Sequence, residues 1–520
     1  MHFARLLSAA LLAVPIGLAA AAQPEPAHVY AEHCASCHGA DRLGAMGPAL
    51  LPENLERLRK AEALKVIRDG RPATQMAAFG AKLSAEEVQQ LADWIYSPVT
   101  PRPDWSEAQI RASRILQAKK SDLRDAPVFT ADMMNLFIVV EAGDHHVSIL
   151  DGDKLERIHR FPSRYALHGG PKFTPDGRYV FFCSRDGWVS KFDIWNLKTV
   201  SEVRAGINAR NLAVSTDGKY VAVANYLPNT LALFDADLNL IKVIAAKNLK
   251  GDVSSRVSAV YDAGPRHSFV AAMKDMPELW EISYDEKAAP IFDGYVHDYK
   301  MGEAIALPGF LNPRRTLLEE PLDDFFFDQG YANAMGASRR ADGSGRGQVV
   351  NLDVRRKIAD LDIPGMPHLG SGITFERDGR TLMATPNLKQ GVISVIDMKS
   401  WQTIKQIPTL GPGFFMRSHE NTRYAWVDSM MSPNKDTLQV IDKITLEKVA
   451  ELKPEPGKTL AHIEFTRDGK YALASLWELD GAIIVFDAQT FKEVKRIPAS
   501  KPVGKYNLYN KINRSEGTSH

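Results

Sequence analysis

The 520-residue chain predicts a mainly β protein with a small α domain, a helical N-terminal unit followed by an eight-bladed β-propeller. Two periodic signals predict the propeller. A hydrophobic-hydrophobic-Asp strand end recurs at Asp151, Asp193, Asp235, Asp353, Asp397, Asp442 and Asp487, spaced by 42, 42, 118, 44, 45 and 45 residues. An Asp-Gly pair between β-rich runs recurs at Asp176-Gly177, Asp217-Gly218, Asp378-Gly379 and Asp468-Gly469, and each reads as a hairpin turn. Before residue 100 the apolar residues fall instead at helical spacing.

The elements follow in chain order. Residues 1–22 read as an export signal, with Arg5 before an apolar run from Leu6 to Leu18 and a small-residue site at Ala19 to Ala22. The run is short and flanked by small residues, which favours cleavage near Ala22 over an uncleaved anchor. Export implies a periplasmic protein. No later apolar run is long enough to span a membrane. A net charge of +1 gives no electrostatic case for nucleic acid as a partner. At this length, 45% hydrophobic and 24% charged, the chain can bury more than one core.

Cys34-Ala35-Ser36-Cys37-His38 is a C-x-x-C-H sequence, the attachment pattern of a c-type haem. The two thiols add across the haem vinyl groups, and His38 is placed to ligate the iron. A zinc site would need two further ligands at short spacing, and none follow. The third cysteine, Cys183, closes the apolar run from Tyr179 and reads as a buried structural thiol. Residues 23–100 are therefore expected to be a helical cytochrome c domain. Glu53 to Arg68 has helical spacing, and Ser84 with Glu87 forms a capping-box start for a helix running to Tyr96. Met76, in Gln75-Met76-Ala77-Ala78-Phe79-Gly80, is the candidate sixth ligand, a soft thioether that raises the potential of an electron-transfer haem. Met46 competes with it, and His33 reads as an ordinary surface residue beside the haem. Residues 101–125 read as a linker.

The propeller is expected over 126–520. The 118-residue gap holds two units and an insertion, with Leu279-Trp280-Glu281-Ile282 as the unmarked member. The alternative is seven blades with a longer insertion over 285–345. In each blade the innermost strand precedes the Asp-Gly turn and starts at one mouth of the central channel. Counted back from the turn Asp, His168 lies at −8, His368 at −10 and His462 at −6. Three histidines from three blades should converge on one mouth. His419 sits in a hairpin position at the far end and is assigned a structural role. Arg164, Arg185, Arg210 and Arg256 occupy comparable windows, and guanidinium groups suit a ligand with several carboxylates. Trp477, Tyr226 and Tyr506 offer flat or polar walls. A histidine beside a large flat ligand suggests an axial ligand to a second macrocycle iron.

With these features the sequence resembles the cytochrome cd1 family, in which a c-haem domain precedes a propeller that holds haem d1. The resemblance covers nearly all of the expected mature chain. It is carried by Arg164-Tyr165-Ala166-Leu167-His168, Ser184-Arg185-Asp186-Gly187, Gly206-Ile207-Asn208-Ala209-Arg210, Pro367-His368 and Gly504-Lys505-Tyr506-Asn507-Leu508-Tyr509-Asn510. It implies that His168 is the proximal ligand of haem d1 and that Arg164, Arg185, Arg210 and Arg256 surround the macrocycle carboxylates. Nitrite-reducing members carry two distal histidines, whereas here the second segment reads Asp323-Asp324-Phe325-Phe326-Phe327-Asp328, without one. Fewer proton donors weaken nitrite reduction. The pattern is similar to the dihydro-haem d1 dehydrogenase branch. That implies oxidation of a tetrapyrrole propionate to an acrylate, with His368 or His462 as second ligand or proton acceptor and Tyr506 assisting. Electrons would leave through the c-haem to an external acceptor protein, and a nitrite reductase could receive the product. An altered nitrite reductase and a non-catalytic haem d1 carrier are the alternatives.

Overall fold

The computed structural model describes residues 25–45, 47–55, 58–70, 76–292, 306–339 and 345–513. The expected export signal and Met46 lie outside the described residues.

Eight antiparallel sheets form the propeller. Blade one is closed by the two ends of the chain. Its innermost strand, Pro502–Asn507, pairs with Leu136–Glu141, which continues to His146–Asp151 and Glu156–Pro162. Joining the ends in one sheet leaves no open edge between the last blade and the first. Blade four contains Leu279-Trp280-Glu281-Ile282 in its third strand, Glu278–Ser283. The extra length lies between that strand and the fourth, Pro313–Leu317. The eight-bladed expectation therefore holds and the seven-bladed alternative does not.

The repeated aspartate has a local cause. Asp151, Asp397, Asp442 and Asp487 each end a strand and accept backbone N–H groups of the following turn on their side chains. In blade five, Asn351 ends the strand and accepts from Asp353 and Val354. Asp353 thus lies in the turn rather than at the strand end, because an asparagine carbonyl does the same work two residues earlier.

The N-terminal domain is helical. Pro26–His33 packs against Ala85–Ile95 around Val29, Tyr30, Leu91 and Ile95. The expected capping box is present, with Ser84 accepting from the Glu87 amide at 3.2 Å and Glu87 accepting from the Ser84 amide at 2.7 Å. The stretch expected as one helix from Glu53 to Arg68 is two, Pro52–Leu55 and Lys60–Asp69.

The segment read as a linker is bound to the propeller along its length. Ser106 caps a helix, Glu107–Ala112, whose Ile110 is 1% exposed in the core of blades two and three. Ile115–Leu116 then adds a fifth strand to the outer edge of blade two. Burying an isoleucine side chain contributes about 1.5–3 kcal/mol, enough to hold such a strap down. The domains also touch directly. Ala49 and Leu51 share an apolar cluster with Ile207 and Leu227 at the mouth of blade three. Arg204 donates to the Leu43 carbonyl at 2.5 Å and to the Asp186 carbonyl at 2.9 Å.

Candidate active site

In the helical domain Cys34 stands at the N-cap of a single helical turn, Ala35–His38, which carries Cys37 and His38, the latter 8% exposed. The His38 Nδ1 lies 2.8 Å from the Pro48 carbonyl. Nδ1 therefore carries the proton and donates it, which leaves the Nε2 lone pair for a metal. Burial lowers the His38 pKa, so the ring stays neutral, as ligation requires. Gly47 packs against this ring, where an added Cβ would lie 2.7 Å from Cε1. The set fits a covalently held c-haem. Met76 is half-buried after the second long helix. His33 packs its ring on Phe79 at 5.9 Å.

On the propeller axis one cavity is lined from all eight blades, and His168, Arg210, His368, His462, Trp477 and Tyr506 all face it. The convergence expected from the repeat register is thus met. Two of the three histidines are held alike, and the third is not. His168 Nδ1 lies 2.7 Å from the Arg210 carbonyl, so it donates there. Its Nε2 accepts from Arg185 Nη2 at 2.8 Å and Arg210 Nη1 at 3.0 Å. That lone pair is the one an iron would take. His368 repeats the arrangement, with Nδ1 2.7 Å from the Phe414 carbonyl. Burial lowers its pKa and keeps it neutral.

His462 is different. It is the bulged residue of Leu460–Phe465, where the pairing slips between Ala461 and Ile463, and its φ is +50°. Left-handed backbone at a residue with a Cβ is strained and persists only when its surroundings enforce it. Lys505 Nζ donates to the His462 carbonyl and to Ser475 Oγ, the latter at 2.9 Å. The His462 Nδ1 is buried without a hydrogen-bond partner. Burial first, then the Lys505, Arg417 and Lys511 charges, lower its pKa well below the ordinary histidine value. Its ring lies 4.7 Å from Phe415 and 5.2 Å edge-on from Tyr506. Burial pushes the Tyr506 hydroxyl up to about 12, so it stays protonated.

Several expected residues lie elsewhere. Arg164 pairs bidentately with Glu202 at 2.9 and 2.8 Å and stacks over Trp188 at 3.9 Å, beside a separate cavity of about 670 Å³. It does not line the axial cavity. Arg256 binds Asp275 at 2.8 and 2.5 Å, with the Tyr226 ring 5.6 Å from its guanidinium. Neither Arg256 nor Tyr226 lines the cavity. Cys183 does, but burial pushes its thiol up to about 12 and leaves it inert. His419 lies in the hairpin between Met416–Arg417 and Tyr424–Asp428, fully buried against Gly469, in keeping with a structural role.

Sequence reasoning missed Tyr261, Asp324, Arg417 and Lys511, all of which line the cavity. Asp324 lies in the histidine-free segment and accepts from the Tyr261 hydroxyl at 2.8 Å. Arg417 is 4% exposed, and its Nη1 is buried without a partner. Arg417 lies just before the hairpin position of blade seven, not at the strand start where the offsets of the other site residues point. Together Arg417, Lys511, Lys172 and Arg210 give the cavity a basic lining suited to carboxylates.

A covalent c-haem domain docked on a propeller with a basic, histidine-lined axial cavity defines a two-haem oxidoreductase, and this chain belongs to the family described as cytochrome D1 haem domain. The family's sequence profile matches residues 131–297 and 309–511. Residues 21–95 match a second profile, described as cytochrome c oxidase, cbb3-type, subunit III. Among individual proteins, the chain is 52% identical over 517 residues to dihydro-haem d1 dehydrogenase of Pseudomonas aeruginosa, covering 99% of this chain and 100% of that one. It is 26% identical to a nitrite reductase of Stutzerimonas stutzeri over 98% of each. A solved structure described as dihydro-haem d1 dehydrogenase NirN in complex with DHE superposes with a TM-score of 0.85 at 52% identity, covering 94% of this chain and 100% of that one.

Proposed function

We propose that this chain is a periplasmic dihydro-haem d1 dehydrogenase. The substrate's saturated propionate side chain, –CH₂–CH₂–COO⁻, becomes the acrylate –CH=CH–COO⁻ with release of two electrons and two protons. The observation that carries the assignment of roles is the contrast in histidine anchoring. His38, His168 and His368 each fix Nδ1–H on a backbone carbonyl and present Nε2, the orientation of a metal ligand. His462 lacks that anchor and is kept neutral by burial and nearby cations, which suits a proton acceptor.

His168 and His368 are accordingly the residues that hold the substrate iron. His462 takes a proton from the side chain on a ring nitrogen. Tyr506, protonated, donates a hydrogen bond beside it. Arg185, Arg210, Arg417 and Lys511 hold the carboxylates so that the reacting side chain faces His462, a positioning contribution. Cys34, Cys37 and His38, with Met76 as sixth ligand, would hold the c-haem, which would supply a one-electron acceptor. Its domain is docked on the propeller through Arg204 and the Ala49–Leu51 contact. An external acceptor protein reoxidises it, and a nitrite reductase is the fitting recipient of the product.

The test is anaerobic mixing of the protein, its c-haem oxidised, with dihydro-haem d1. Growth of the c-haem α-band together with a shift of the macrocycle bands to those of haem d1 supports the reading. Binding with neither change overturns it in favour of a carrier.

A further inference from the structure

We infer that Arg204 is a positioning residue that ties the loop after His38 to the turn beside His168, and so fixes the register in which electrons cross between the two domains. This rests on the dehydrogenase reading above, in which the side chain gives up two electrons and the acceptor takes one at a time. Each turnover therefore needs two crossings of the domain boundary, with reoxidation by the external acceptor protein after each, and the two protons are released at the propeller site.

Arg204 ends the fourth strand of blade two, Lys198–Arg204, and is 8% exposed. Its guanidinium spans the boundary. Nη2 donates to the Leu43 carbonyl at 2.5 Å, and Nε donates to the Asp186 carbonyl at 2.9 Å. On the helical side, the amide of Gly44, next after Leu43, donates to the His38 carbonyl at 2.9 Å. On the propeller side, the amide of Arg185, just before Asp186, donates to the carbonyl of Ala166 at 3.1 Å, two residues before His168. Hydrogen bonds and short pieces of main chain thus run unbroken from His38 to His168, and Arg204 is the link between the domains.

Both ends of that link are rigid. Leu43 and Asp186 each precede a glycine in the left-handed region, Gly44 at φ +86° and Gly187 at φ +87°. An added Cβ would lie 2.8 Å from the Ala49 nitrogen at Gly44 and 1.8 Å from the Gly206 oxygen at Gly187, so neither turn admits a side chain. The strap holds the arginine itself. The Arg204 amide donates to Ser113 Oγ at 2.9 Å, Trp105 Nε1 donates to its carbonyl at 2.8 Å, and the guanidinium stacks over the Trp105 ring at 4.8 Å. A guanidinium suits the task, because its planar fork fixes two acceptors at once whereas an ammonium is a point charge on a flexible stem. The apolar contact of Ala49 and Leu51 with Ile207 and Leu227 holds the domains together, but hydrophobic contact is non-directional and does not set their register.

The test is Arg204→Met, with Arg204→Lys as a second variant that keeps the charge and the stem. After anaerobic mixing with dihydro-haem d1, growth of the c-haem α-band should slow about 100-fold, the scale of an ångström misplacement. Affinity for dihydro-haem d1 and the bands of the bound macrocycle should stay as in the unaltered protein. An unaltered rate in Arg204→Met overturns the inference, and so does a loss of affinity that accounts for the slowing. Amide hydrogen exchange supplies a readout apart from turnover. Gly44 and Gly187 carry the amides of the two peptides whose carbonyls Arg204 holds, and both should exchange faster in the variants. A Gly44 amide that keeps its rate overturns the bridge across the boundary. If instead the unaltered protein never reduces its c-haem, the dehydrogenase reading fails, and the exchange result still judges the bridge.

Discussion

His368 and His462 face the same cavity, and the fold holds them in opposite ways. On the blade six side, the His368 ring is fixed by a 2.7 Å hydrogen bond to the Phe414 carbonyl and packed 4.1 Å from the Phe414 ring. On the blade eight side, the His462 ring has no such anchor and its restraint lies in the backbone, at a strained bulge clamped by Lys505. The difference teaches how one scaffold separates two uses of imidazole. A ligand must keep one tautomer and one direction, so its second nitrogen is tied down. A proton acceptor must change protonation state, so it is left free at the ring and placed by the main chain.

The sharpest way to break this contrast is to exchange the outcomes of two deletions. His462→Ala should lower kcat by about 10² to 10⁴-fold while the bound macrocycle keeps its ligand spectrum. His368→Ala should chiefly alter that spectrum, read by absorption and paramagnetic resonance. A reversed pattern would swap the roles. Tyr506→Phe should lower kcat about tenfold, since it removes one hydrogen bond but neither ligand nor acceptor, as steady-state kinetics will show. Arg417→Gln should act on KM instead, raising it about fivefold through a lost carboxylate partner.

The pH profile sharpens the same contrast. His462 works as a neutral base, and burial with the neighbouring cations lowers its pKa below the ordinary 6.5. Turnover should therefore survive as pH falls through 6.5 and be lost only lower. The acid limb should have its midpoint below 6.5. A midpoint above 6.5 in kcat against pH would contradict a buried neutral acceptor. The smallest effect is expected at Arg164→Ala. That guanidinium is committed to Glu202 and Trp188 away from the cavity, so KM for the tetrapyrrole should change less than about twofold. A large rise in KM would show that Arg164 leaves Glu202 to meet the ligand.

The two haem sites were not equally legible in the sequence. Cys34, Cys37 and His38 are consecutive, so local chain geometry alone brings them together. His168, His368 and His462 are far apart, yet they were readable because each sits at a fixed offset from a repeating turn. Arg164 and Arg256 occupy the same windows, which suits carboxylate ligands, but in the structure they pair with Glu202 and Asp275 and do not line the cavity. Sequence offset sets where a Cα lies, whereas the direction of a long side chain is set by whichever charge it meets.

The sequence by itself determined the helical domain with its attachment motif, the number of blades and the mouth at which the histidines gather. All of these follow from short-range periodicity and turn chemistry, which repeat along the chain. The tertiary structure alone decided that Asp324, Arg417 and Lys511 complete the cavity, that the strap through Ile110 joins the domains, and that His462 is aimed by a bulge under Lys505. Each of those depends on residues from different blades meeting at the axis, and such contacts leave no mark in any one repeat.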